Sequence, residues 1–159
     1  MKYLVCFRPG EYLARKIEST PSTTRPKLGF HSTVYLFSAD SRNEWEILER
    51  LKKIKFKKFD VKTLDCCCFD EDSQVLKLNK PHQLTTLHDE IVNTLNGLVI
   101  TDERYNKYIG KNYSPHITIG KGSQGFDTTN RKLIGITVPV VNLEILKKED
   151  VWRKIGNIY

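Results

Sequence analysis

Long apolar runs, paired cysteines and metal-binding spacings are what this sequence lacks. No stretch approaches the ~20 apolar residues that a helix needs to cross a bilayer, so no membrane partner is expected. The opening residues, Met1-Lys2-Tyr3-Leu4-Val5-Cys6-Phe7-Arg8-Pro9, hold an apolar stretch too short for a signal-peptide core and no small-residue cleavage site. A cytoplasmic protein is therefore expected. The four cysteines, Cys6 and the run Cys66-Cys67-Cys68, show neither C-x-x-C spacing nor the dispersed pattern of a disulfide framework. They read as reduced thiols acting as small apolar side chains, with Cys66 and Cys68 facing one way on an extended segment and Cys67 the other. Near His31 and His116 there is no H-x-E, H-x-x-x-H or Asp-rich cluster, which counts against a metal-dependent hydrolase. No metal and no cofactor are expected.

What is present fits a soluble domain with an anionic partner. A chain of 159 residues and 18.5 kDa, 39% hydrophobic and 28% charged, suits a single domain spanning residues 1–159. The formal charge of +7 and pI near 9.2 favour nucleic acid or a nucleotide as ligand. Seven of the cations fall between Arg50 and Lys62. There the Lys53-Ile54-Lys55-Phe56-Lys57 alternation suits a strand with one wet face, whose lysines either guard a sheet edge or track phosphates.

Periodicity divides the chain into short elements. Residues 2–7 read as a strand, and Gly10 to Ser19 as a helix with Leu13 and Ile17 on one face. A Ser/Thr/Pro-rich loop follows to Gly29, then a β-branched and aromatic strand from Phe30 to Phe37. Ser41 and Glu44 form a capping box ahead of Trp45, Leu48 and Leu51 at helical spacing. Ile54–Phe69 and Gln74–Leu78 flank a turn-rich tetrad, Asp70 to Ser73, and read as a hairpin. Pro81 opens a helix whose stripe is Leu84, Leu87, His88, Ile91 and Leu95, and Gly97 stops it. Thr101 to Tyr113 is polar and irregular and leads into the strand His116 to Ile119. After a Gly-containing loop, Leu133–Lys147 and Val151–Ile158 read as two last strands, with a bend near Pro139 and a turn near Glu149.

Two segments carry chemistry: His31-Ser32-Thr33 and His116-Ile117-Thr118. Residues two apart on a strand share a face, so each segment presents an imidazole and a hydroxyl together. An imidazole titrates near neutrality, so one can take a proton from a nucleophile while the other gives one to a leaving oxygen. The threonine hydroxyls can donate hydrogen bonds to the non-bridging oxygens of a phosphate. His88, within an apolar helical stripe, and His82, in a helix first turn, lack a threonine two residues on and read as structural.

The segments His31-Ser-Thr33-Val-Tyr-Leu and Tyr113-Ser-Pro-His116-Ile-Thr118-Ile-Gly-Lys121 resemble those of the 2H, or two-histidine, phosphoesterases, which include 2′-5′ RNA ligase-like proteins and RNA cyclic phosphodiesterases. The resemblance implies an α+β fold with two pseudo-symmetric lobes, whose mostly antiparallel sheets line a central cleft with helices outside. It implies that His31 and His116 share acid and base duties, in an order left open, and that Thr33 and Thr118 hold the phosphate. The implied activity is a metal-independent phosphodiesterase, acting on RNA or oligonucleotide 2′,3′-cyclic phosphates or 2′-5′ linkages, with 2′-5′ ligation as the reverse reaction. Hydrolysis of cyclic nucleotide or oligoadenylate signals, and RNA binding without catalysis, are the alternatives; a monomer is expected. Tyr35 shares strand parity with His31 and Thr33, which suits either stacking on a base or a place in the core. Lys121 lies five residues after His116, so a phosphate role for it requires a bulge. Tyr113 and Arg25 are candidates for the cleft walls.

Overall fold

The computed structural model describes residues 1–21, 23–70, 73–100, 103–121 and 128–159. Strand β1 (Lys2–Phe7), helix α1 (Glu11–Glu18) and strand β2 (Ser32–Ala39) come first, followed by helix α2 (Glu44–Lys52). The hairpin β3 (Phe59–Asp70) and β4 (Ser73–Leu78), helix α3 (His82–Thr94) and the two-residue strand β5 (Val99–Ile100) form the middle. A one-turn helix α4 (Glu103–Asn106) precedes β6 (His116–Lys121), β7 (Thr137–Val140), β8 (Leu143–Lys148) and β9 (Trp152–Ile158). The strand order is β7-β3-β4-β6-β2-β1-β8-β9, with β5 beside β2, and every pairing is antiparallel.

That order has an internal symmetry. β1-α1-β2 on one side of the centre corresponds to β4-α3-β6 on the other, and β2 and β6 meet in the middle through a single register pair, Ser32 with Ile117. The two expected lobes are therefore half-sheets joined edge to edge. One face of this sheet is covered by the helices: Leu13 and Ile17 of α1, Ile47 and Leu51 of α2, and Leu84, Leu87 and Ile91 of α3 are buried with Val5, Phe37, Leu76 and Ile117. The other face carries a small second cluster, Leu4, Cys6 and Leu146, partly covered by Leu28, Leu36 and Trp152.

Several local expectations shift. The cap of the second helix is Asp40, whose carboxylate accepts from the Arg42 N–H at 2.9 Å, and Ser41–Asn43 is a 3-10 turn before α2 proper. The turn rotates the inward stripe to Ile47 and Leu51, so Trp45 lies outside at 74% exposure. Residues 54–58 are not a strand: Ile54 turns into the core and the lysines of that run are on the solvent side of an irregular connection. The 133–147 segment is two strands, because the chain leaves β3 after Val140 and crosses to β1, the far side of the sheet. The hairpin turn at 71–72 and the glycine-containing loop at 122–127 lie outside the described residues. The stripe of α3 is buried throughout, and Gly97 takes the positive φ of 81° that ends such a helix.

Ile117 is fully buried at the join of the two half-sheets. Truncation there should cost about 2–5 kcal/mol through lost burial and a residual cavity. Chemical denaturation of Ile117→Ala against Leu64→Ala, an exposed position, checks this: the Leu64 change should stay within about 0.5 kcal/mol.

Candidate active site

The single pair at the centre fixes the geometry of both motifs. Ser32 and Ile117 point into the core, so in an antiparallel register His31 lies opposite Thr118 and Thr33 opposite His116, all four on the other face. Directly opposed residues sit roughly 5 Å apart and diagonal ones roughly 7–8 Å, so His31 and His116 are diagonal neighbours on one face. The His116 charge indeed bears on the titration of His31.

Each ring is held in the same way. His31 Nδ1 lies 2.9 Å from the Gly29 carbonyl and His116 Nδ1 lies 2.8 Å from the Ser114 carbonyl. A carbonyl only accepts, so Nδ1 carries the proton in both rings. Gly29 turns at φ 73°, a conformation that other residues reach only with strain, and so delivers its carbonyl to the ring. Arg8 braces this turn by donating to the Leu28 carbonyl at 2.6 Å and the Phe30 carbonyl at 3.3 Å, while its Nε meets Glu144 at 2.8 Å. Burial lowers the pKa of His31 below its ordinary 6.5, with the Gly29 hydrogen bond opposing and the charges of Arg8 and His116 reinforcing the shift.

Both strands bulge at the residue after the threonine. Cys6 pairs with Thr33 but Val5 with Tyr35, and Val75 pairs with Thr118 but Gln74 with Gly120, leaving Val34 and Ile119 as extra residues. The bulges change parity. Tyr35 therefore leaves the strand parity of His31 and Thr33: its side chain is buried, stacked on Phe37 at 5.0 Å and edge-on to His88 at 6.2 Å, and it borders the same cavity as Thr33 and His116. The same shift brings Lys121, which pairs with Ser73, onto the face of His116 and Thr118, and Leu36 onto that of His31 and Thr33. Leu36 and Lys121 are thus equivalent positions in the two lobes.

The backbone carbonyls freed near the first bulge find partners in α3 and the following loop. His88 Nδ1 donates to the Val34 carbonyl at 2.7 Å, and His88 Nε2 accepts the Gly110 N–H at 3.1 Å. Tyr113, buried and stacked on His88 at 4.2 Å, donates its hydroxyl to the Thr33 carbonyl at 3.2 Å. His88 is structural, as its sequence position suggests, and Tyr113 is a wall and strut rather than an exposed contact. Arg25 lies beyond Gly29 in a neighbouring depression with Arg8, paired to Glu18 at 2.9 Å, and does not face the imidazoles.

Residues that periodicity did not single out complete the cleft. Phe69 stacks on the His116 ring at 4.1 Å and meets Tyr108 at 5.6 Å. Together with Thr33, Leu36 and Tyr105 they line a cavity of about 280 Å³. On the His31 side, Thr33 and Leu36 also line a wider recess of about 600 Å³ with Leu4, Leu28 and Trp152. No sequence period marks Phe69, because its position depends on a register shift in β3 between Cys68 and Asp70.

No family model matches the sequence, and no curated protein does. The fold does match solved structures. A crystal structure described as a phosphoesterase superposes with TM-score 0.69 at 15% identity, covering 98% of this chain and 95% of that one. Apo E. coli LigT gives 0.71 at 12% identity over 98% and 95%, and TT0787 of Thermus thermophilus gives 0.67 at 13% over 99% and 97%. E. coli LigT has also been solved complexed with 3′-AMP and with NADP+. The chain shares the fold of these solved structures, an α+β fold of the kind the two motifs implied. In fold the chain resembles E. coli LigT over nearly its whole length.

Because the folded protein disfavours charged His31 and His88, an unfolded chain binds protons more readily below the ordinary 6.5, and stability should fall with pH from there down. Denaturant midpoints from about pH 7.5 to about pH 5 follow the loss. His88→Leu should remove part of that slope while costing about 1–3 kcal/mol at neutral pH for each group left unpaired at Val34 and Gly110. A His31 ring titrating above 6.5 by NMR would contradict the shift.

Proposed function

We propose that the protein is a phosphodiesterase acting on RNA or oligonucleotide ends and linkages that involve the ribose 2′-oxygen, using His31 and His116 as paired acid and base. The observation that carries this reading is the antiparallel juxtaposition of the two His-x-Thr segments, each ring oriented by a backbone carbonyl at Nδ1. Nucleotide complexes of E. coli LigT, a structural neighbour, support a nucleotide-type ligand.

The proton transfers balance without a third group. One Nε2 takes the proton of an attacking hydroxyl, from water or a neighbouring ribose, as the new P–O bond forms. The other gives its proton to the departing oxygen as the old P–O bond breaks. His31 suits the base role in the resting protein, since burial and the nearby Arg8 and His116 charges favour its neutral, proton-accepting form. His116 then serves as acid. Thr33 and Thr118 donate to the non-bridging oxygens, and Lys121 adds a cation on the same face. The basic surface, +7 overall, draws the anionic substrate in.

His31→Ala or His116→Ala should each reduce turnover by about 10²–10⁴-fold while leaving the thermal transition in place. Thr33→Val and Thr118→Val should cost less, and wild-type activity should follow a bell-shaped pH profile and survive EDTA. Product analysis on a panel of 2′,3′-cyclic, 2′-5′ and 3′-5′ substrates reads the outcome. Activity lost with chelator and restored by a divalent ion would refute the metal-free mechanism. Tight RNA binding with no turnover of any substrate would favour the binding-module alternative.

A further inference from the structure

We infer that the recess beside His31, walled by Trp152, Leu4 and Leu28, is a second base-stacking subsite, so that the preferred substrate carries a nucleoside on each side of the reacting phosphate. The inference rests on the phosphodiesterase reading above and narrows its substrate class.

The two cavities flank the imidazole pair. The aromatic one, of about 280 Å³, includes His116, Phe69 and Tyr108; the wider one, of about 600 Å³, includes His31 and Trp152. Thr33 and Leu36 line both, so a phosphate held at Thr33 stands at the partition. A nucleoside 2′,3′-cyclic phosphate has one base and its phosphate closes back on its own ribose. It fills one compartment only. A diester joining two nucleosides sends one arm into each.

The second recess has the surface chemistry for such an arm. Cross-strand register puts Trp152 opposite Lys148, Lys148 opposite Lys2, and Leu146 opposite Leu4, which in turn faces Leu36. Leu4, Cys6 and Leu146, partly covered by Leu28, Leu36 and Trp152, form the apolar cluster here, and Leu4, Leu28, Leu36 and Trp152 line the recess together with Thr33 and His31. Trp152 is half-buried, its other side turned to the recess, which suits stacking against a planar base. Lys27 and Lys148 stand at the rim, complementary to a further backbone phosphate, and Asp150 is the one carboxylate of the lining. Trp45, the other tryptophan, is on the outer side of α2, so Trp152 can be observed alone in a Trp45→Phe background.

The test compares 2′-5′-linked ApA, 3′-5′-linked ApA and adenosine 2′,3′-cyclic phosphate on the full-length protein. Wild type should process one of the two dinucleoside monophosphates with kcat/KM about tenfold or more above the cyclic mononucleotide. Trp152→Ala should raise KM for that dinucleotide about tenfold more than for the cyclic compound, and Trp152→Phe should recover most of the loss. In the Trp45→Phe protein the same dinucleotide should quench tryptophan emission, and the cyclic compound should not. Equal losses on all substrates, an unchanged emission, or preference for the cyclic mononucleotide would overturn the second subsite while leaving the phosphodiesterase reading intact. Failure of wild type on all three substrates would remove the reading itself and the subsite with it.

Discussion

The structure depends on one backbone pairing, Ser32 with Ile117. Without it the two half-sheets would be joined only through the hydrophobic core beneath them, each with an imidazole and a hydroxyl on its open face. The pair is antiparallel, so it sets each histidine against the threonine of the other strand and places like groups on the diagonal. Both residues of the pair point into the core, where Ile117 is packed with the helical cover, and burial on that side is what turns the four polar side chains to the other. The location of the site follows from hydrophobic burial, and its chemistry from strand alternation.

Around that join the two lobes repeat one local design with different supports. In each, a carbonyl two residues before the histidine fixes the ring, and an extra residue after the threonine bends the strand. On the first strand the bend is supported by His88 and Tyr113, whose parallel rings satisfy two carbonyls at once. The Gly29 turn is instead braced by a charged group, Arg8, which also lowers the proton affinity of the ring it supports. Two histidines equivalent by symmetry thereby sit in different surroundings.

The two motifs and most of the elements were legible because they rest on local rules. The apolar stripe of α3, the stop at Gly97 and the His-x-Thr alternation each need only neighbouring residues to be read. What escaped depends on long-range register. The facing of Tyr35 and Lys121 hinges on single inserted residues, Val34 and Ile119, and nothing in their composition sets them apart from ordinary strand valine and isoleucine. Phe69 and Trp152 reach the cleft only because β3 and β9 take particular places in the strand order. The Ser41–Glu44 pattern misled because Asp40, one residue earlier, captures the free N–H first.

A junction of one pair has a mechanical meaning as well. Most neighbouring strands here are laced by four to six paired positions, as in β1 with β8 and β3 with β7, and resist being pulled apart. The central seam holds by a single stitch above a continuous hydrophobic floor. Tilting one half against the other sacrifices few backbone hydrogen bonds, so the seam beneath the threonines yields more readily than the laced pairs on either side of it.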